Sequence, residues 1–189
     1  LYRKAFGKRD PLRFAEYLAA VEKGEAKINS AGVMPYELIK LAGNPVADAQ
    51  WKALPNFIPE NKRFIVMADV SGSMSGDPMD VSVSLAIYGS ERTEGPFKDL
   101  VMTFTDRPEF YKLSGTLSQK KATMFQHVGY STNLNRAFQA ILTMATSHKI
   151  DQKDMPDYLV VVSDTEFDHP QIGSSGFNFK AAQNMFAAA

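Results

Sequence analysis

Cysteine is absent from this 189-residue chain. That removes disulfides, thiolate metal sites and cysteine nucleophiles at once, and it fits a reducing, cytoplasmic setting. Excess charge is missing too. Twenty-one Lys and Arg balance twenty-one Asp and Glu, so no global field recruits nucleic acid or an anionic membrane. No apolar run approaches the roughly 18 residues of a spanning helix, and no signal-peptide pattern opens the sequence, so no membrane partner is expected. Histidine is scarce: His127, His148 and His169 are scattered, with no partner at a ligand spacing such as H-E-x-x-H. Each is expected at a surface or a helix end. Leu1 stands where a biological start would place Met, so a start upstream of it is expected.

What is present is an ordinary globular composition, 44% hydrophobic and 22% charged. The length suffices for one α/β domain, or for a slightly cropped one carrying a helical extension. Residues 1–60 read as that extension. Phe14, Tyr17, Leu18 and Val21 recur at helical spacing after Pro11, and Lys23-Gly24 supplies a stop. A second helix is expected from Pro35 to Gly43 and a third around Val46 to Leu54. Arg3, Lys4, Lys8 and Arg9 form a short basic cluster, but Asp10 interrupts it and few aromatics interleave it, so a solvated helix face is the plainer reading.

Residues 61–189 read as the α/β domain, organised around FIVMADVSGSMSGDP, Phe64 to Pro78. Phe64 to Ala68 has no polar alternation, the pattern of a central parallel strand covered on both faces. The run ends in Asp69 and turns through Ser71, Gly72 and Ser73. A helix then starts near Pro78, for which Asp77 is the expected N-cap. One carboxylate and two hydroxyls are thus gathered at the carboxyl end of a strand, where open α/β sheets place ligands. Such hard oxygen donors suit Mg²⁺ or Mn²⁺.

Further along, LVMTF gives a second strand. The turn at Thr105 to Pro108 leads to a short third strand, Glu109 to Leu113, too close for a crossover helix and therefore antiparallel at an edge. Leu134, Phe138, Ile141, Leu142 and Ala145 follow helical spacing, with Ser131 and Thr132 at its N-cap. Asp157 to Val162 forms another buried strand and ends in Ser163-Asp164, as the first ended in Asp69. A last helix is expected from Phe179 to Ala189. The fold expected is an open, Rossmann-like, mostly parallel sheet with one antiparallel edge strand and helices on both faces. It would lack the closing strand that such sheets carry.

Asp69, Ser71, Ser73, Thr132 and Asp164 therefore make a five-residue oxygen cluster drawn from three loops at one sheet edge. With its D-x-S-x-S string, later Thr and strand-end Asp, the sequence resembles the von Willebrand factor A (integrin I-like) fold and its metal-ion-dependent adhesion site. The resemblance covers about residues 62–189. It implies that Ser71 and Ser73 bind a divalent cation directly, and that Asp69, Thr132 and Asp164 contact it directly or through water. A finer resemblance is to an uncharacterised family that places a helical segment before the A domain and carries an S-D-x-E-F-D stretch, here Ser163 to Asp168. The Ro (TROVE) RNA-binding proteins are a more distant likeness.

Two positive charges on Mg²⁺ against Asp69 and Asp164 make a formally neutral set of ligands, and helix N-termini add partial positive charge. An acidic group on a protein partner is the ligand this arrangement would capture. The alternative is a Ro-like RNA-binding protein. A metal-dependent hydrolase has less support, because no general base is placed beside the cation. Glu166 and Asp168 read as solvated loop carboxylates. An aspartyl-phosphoenzyme phosphatase of the haloacid dehalogenase type would need an Asp where Ser71 stands. Gly72 lacks the G-K-[ST] ending of a phosphate loop, and Met74 occupies the nucleophile position of a hydrolase elbow. No enzyme activity is expected, and Met74 and Met79 are expected to pack in the core.

Overall fold

The computed structural model describes residues 7–104, 108–126, 134–164 and 179–188. Three helices come first, α1 (Pro11–Glu22), α2 (Pro35–Lys40) and α3 (Pro45–Lys52). Each starts with proline, whose missing N–H has no intrahelical partner to lose there. One donor at the start of each helix is met by a nearby side chain. Asp10 accepts from Arg13 N–H at 3.1 Å, Asn44 from Val46 N–H at 3.0 Å, and Glu37 reaches back to Met34 N–H at 2.9 Å. Gly24, at φ +78°, takes the left-handed conformation that stops α1.

The sheet is built on β1 (Phe64–Asp69), buried from its second residue on. With β2 (Leu100–Phe104), β3 (Phe110–Lys112) and β4 (Tyr158–Val162) it runs in the order β3-β2-β1-β4. β1 lies parallel to both neighbours, and β3 pairs antiparallel with β2. This is the open, mostly parallel α/β sheet with one antiparallel edge strand that the sequence patterns indicate. β3 is shorter than the strand expected from Glu109 to Leu113, three residues instead of five.

Alternation along β1 divides the core into two layers. Val66, Ala68 and Val70 face α4 (Asp77–Arg92), with α2, α3 and α5 (Leu117–Phe125) packed around it. Ile65 and Met67 face α6 (Leu134–Ser147), and Phe186 of α7 (Phe179–Ala187) packs on the same side. α4 approaches β1 so closely that a Cβ on Gly89 would lie 2.5 Å from Val66 Cγ2. Only glycine permits that approach without moving the stiff, β-branched Val66.

The N-terminal helices are fastened to the outer side of α4. Trp51 donates through Nε1 to Glu91 at 2.8 Å. The Tyr88 hydroxyl accepts from Phe57 N–H at 2.9 Å and donates to Pro55 O at 2.6 Å. Arg92 stacks its guanidinium 3.8 Å from the Tyr88 ring centre and donates to Leu54 O. Leu38, Ile39 and Trp51 are buried in the same apolar cluster as Val83 and Ile87 of α4. No helix among the described residues is long and apolar enough to cross a membrane.

Candidate metal centre

Asp69 closes β1 and is 0% exposed. By alternation its side chain belongs to the α6 layer, with Ile65 and Met67. Two donors hold it. Oδ1 accepts Ser71 N–H at 2.9 Å, and Oδ2 accepts the Ser163 hydroxyl at 2.6 Å. Strand register accounts for the second bond: Ala68 pairs with Val162, and one step further sets Ser163 beside Asp69.

Beyond Asp69 a single 3₁₀ turn, Gly72–Met74, folds the loop back. It brings the Ser71 and Ser73 hydroxyls within 3.0 Å of each other, Ser71 buried and Ser73 exposed. The Ser75 hydroxyl donates to Gly72 O at 2.7 Å and closes the turn. Met74 and Met79 sink into the core and anchor the loop from below, as expected of packing residues.

The entry to α4 differs from the sequence expectation. Gly76, at φ +89° and ψ −138°, is the N-cap, and Asp77 is the first helical residue. Glycine adopts that backbone at little cost and aspartate does not, so the cap shifts by one position. The Asp77 carboxylate instead meets Lys40 of α2 at 2.6 Å, and this hydrogen bond raises the Lys40 pKa.

Asp164 follows Ser163 at the same sheet edge and is exposed. The structure therefore joins Asp69, Ser71 and Ser73 in one hydrogen-bonded group and sets Asp164 at the end of the adjoining strand. Thr132 lies outside the described residues, as do Ser131, His127, Glu166, Asp168 and His169. The helix that Thr132 precedes begins at Leu134, whose side chain packs in the layer of Met67. His148 directly follows α6, exposed, with Nδ1 3.0 Å from Met144 O.

Among the described residues, no Lys, Arg or His forms an ion pair with Asp69. A buried carboxylate is costly unless it is hydrogen-bonded and its charge is balanced. Here the hydrogen bonds are in place and, among the described residues, the balancing charge is not. Carboxylate and hydroxyl oxygens form a donor set that fits a small hard cation such as Mg²⁺ or Mn²⁺. Among the described residues no three His, Asp or Glu side chains gather into a cluster, so the hydroxyls are integral to the candidate site.

A family model described as a domain of unknown function, DUF7788, matches residues 63–189. The chain belongs to that family. A second model, the domain of unknown function DUF2828, matches residues 1–64. The DUF7788 segment thus begins one residue before β1 and holds the whole sheet, and the helices α1 to α3 fall under DUF2828. Uncharacterized protein L728 of Acanthamoeba polyphaga mimivirus is 29% identical over 186 residues, which cover 93% of this chain and 32% of that protein. The chain spans about a third of that relative's length.

Ser163 is the functional candidate that motif reading passed over. Its signal is positional: the apolar runs of β1 and β4 both end at this edge, and in parallel register the residue after Val162 must meet Asp69.

Proposed function

We propose that the DUF7788 segment is a non-enzymatic binding module of the von Willebrand factor A type. It captures an acidic group of a protein partner through a divalent cation held by Asp69, Ser71, Ser73, Thr132 and Asp164. The observation that carries this reading is Asp69, fully buried at the carboxyl end of a central parallel strand, fixed by two donors and lacking a basic partner among the described residues. The strand order β3-β2-β1-β4 with an antiparallel outer strand supports it. So does the paired hydroxyl geometry of Ser71 and Ser73. When bound, Mg²⁺ or Mn²⁺ supplies an electrophilic position for a carboxylate of the partner. The chain's own residues hold the cation and shape the loop. A cytoplasmic setting agrees with the absence of cysteine.

Calorimetric titration with Mg²⁺ and Mn²⁺ tests the reading. Wild-type protein is expected to take up one cation, and Asp69→Ala and Ser73→Ala are expected to lose that uptake with their circular dichroism unchanged. Equal uptake by wild type and Asp69→Ala would overturn it. Pull-down with and without EDTA then separates partners: a metal-bridged carboxylate is released by EDTA, whereas an RNA partner of the Ro type is released steeply by salt.

A further inference from the structure

We infer that Ser163 is the positioning residue that sets the cation preference of this site, a role that rests on the divalent-cation reading above. A carboxylate has about four lone-pair positions. In Asp69 one on Oδ1 is taken by Ser71 N–H and one on Oδ2 by the Ser163 hydroxyl, the latter at 2.6 Å, within the range of a charge-assisted O–H···O⁻ bond. A carboxylate held at both oxygens cannot turn about its terminal torsion, so its two remaining lone pairs point in fixed directions. With the Ser163 bond removed, one oxygen is released and the group regains that rotation.

The two donors come from different parts of the chain. Ser71 N–H belongs to the loop that Asp69 itself begins, so it travels with the aspartate. Ser163 comes from the neighbouring strand, 94 residues away. That hydroxyl therefore refers the aspartate to the sheet and not to its own loop. It also couples β4 to the cation loop, because the next residue is Asp164.

Rigidity of this kind discriminates between cations. Mg²⁺ demands near-ideal octahedral geometry at about 2.1 Å, while Ca²⁺ accepts longer, irregular shells of six to eight oxygens. A fixed carboxylate favours Mg²⁺, and a loosened one penalises Mg²⁺ more than Ca²⁺. Residues that orient a ligand through hydrogen bonds typically change metal affinity about 10- to 100-fold when removed.

The test is calorimetric titration of wild type, Ser163→Ala and Ser163→Thr with Mg²⁺ and with Ca²⁺ at one pH. Ser163→Ala is expected to weaken Mg²⁺ binding about 10- to 100-fold and Ca²⁺ binding by less, so the Mg²⁺/Ca²⁺ ratio falls. Ser163→Thr keeps the hydroxyl and is expected to restore the ratio. If Ser163→Ala does not fold, Ser163→Cys, with its weaker S–H donor, is expected to move the ratio the same way. An unchanged ratio in a folded variant that lacks the hydroxyl, or an equal loss for both ions, overturns the role of Ser163 and leaves the cation reading standing. No uptake of either ion by wild type overturns both.

Discussion

The two ends of the β1–β4 strand pair handle carboxylate charge in opposite ways. At the amino end Asp157 and Asp154 each have a cationic partner. Asp157 accepts Arg63 N–H at 2.9 Å and has Lys62 and Arg63 nearby at 3.6 and 3.8 Å, and Asp154 meets Arg63 at 3.8 Å. Arg63 also donates through Nε to Met155 O at 2.9 Å. At the carboxyl end Asp69 is more deeply buried than either, yet its described partners are a backbone N–H and a hydroxyl. One end is complete in itself. The other, among the described residues, satisfies hydrogen bonds without balancing charge, the condition that a cation-binding site would show.

The largest expected effect attacks that contrast directly. Mg²⁺ at about 100 times its dissociation constant should stabilise the fold by about 2.7 kcal/mol, since it binds only the native state. In Asp69→Asn the stabilisation should vanish. Urea unfolding with and without Mg²⁺ reads both, and a metal-dependent gain retained by Asp69→Asn would erase the difference between the ends.

A smaller effect probes the core beneath both ends. Gly89→Ala forces a methyl group against Val66 and should cost about 1–3 kcal/mol in urea unfolding. Mg²⁺ affinity of the folded protein should stay as in wild type, because neither end is touched. A parallel loss of affinity would mean that the spacing of α4 and β1 sets the cation loop as well.

The smallest effect concerns the charge-balanced end. The Arg63 N–H bond, followed by the charges of Lys62 and Arg63, lowers the Asp157 pKa from its ordinary value of 3.8. Its contribution is therefore present in full above that ordinary value and is lost as pH falls through the lower, folded value. Asp157→Asn should flatten the acid limb of stability against pH in that window and leave neutral-pH cation binding alone. An acid limb identical to that of wild type would remove Asp157 from the account.

Much of this arrangement is legible in the sequence because burial leaves a periodic trace. The unbroken apolar run FIVMA marks a strand covered on two faces, and Phe14 to Val21 marks a helix with one apolar stripe. YLVVV shows the same pattern without the same burial: among the described residues β4 is an edge strand, and Tyr158 and Val160 are exposed where the pattern predicts a second covered face. The D-x-S-x-S string marks a loop whose hydroxyls the 3₁₀ turn does bring together. What escapes is set by backbone torsion or by pairing. Asp77 has the composition of a cap, but Gly76 has the torsion for it. Ser82, wholly buried on α4, looks out of place until its hydroxyl is found 3.3 Å from Val162 O. The seating of α2 and α3 on α4 depends on Trp51 and Tyr88 reaching partners 40 and 33 residues away, contacts that leave no local pattern.

The bond from Ser163 to Asp69 has one more consequence. From Leu159 to Val162, β4 carries little information about its own alignment, because a slip along β1 would exchange one branched aliphatic side chain for another. Polar residues at either extremity supply what the strand lacks: Asp157 clasps Arg63 at the foot and Ser163 clasps Asp69 at the head. A misaligned chain would strand both aspartates, so these two clasps act as the fold's proofreaders.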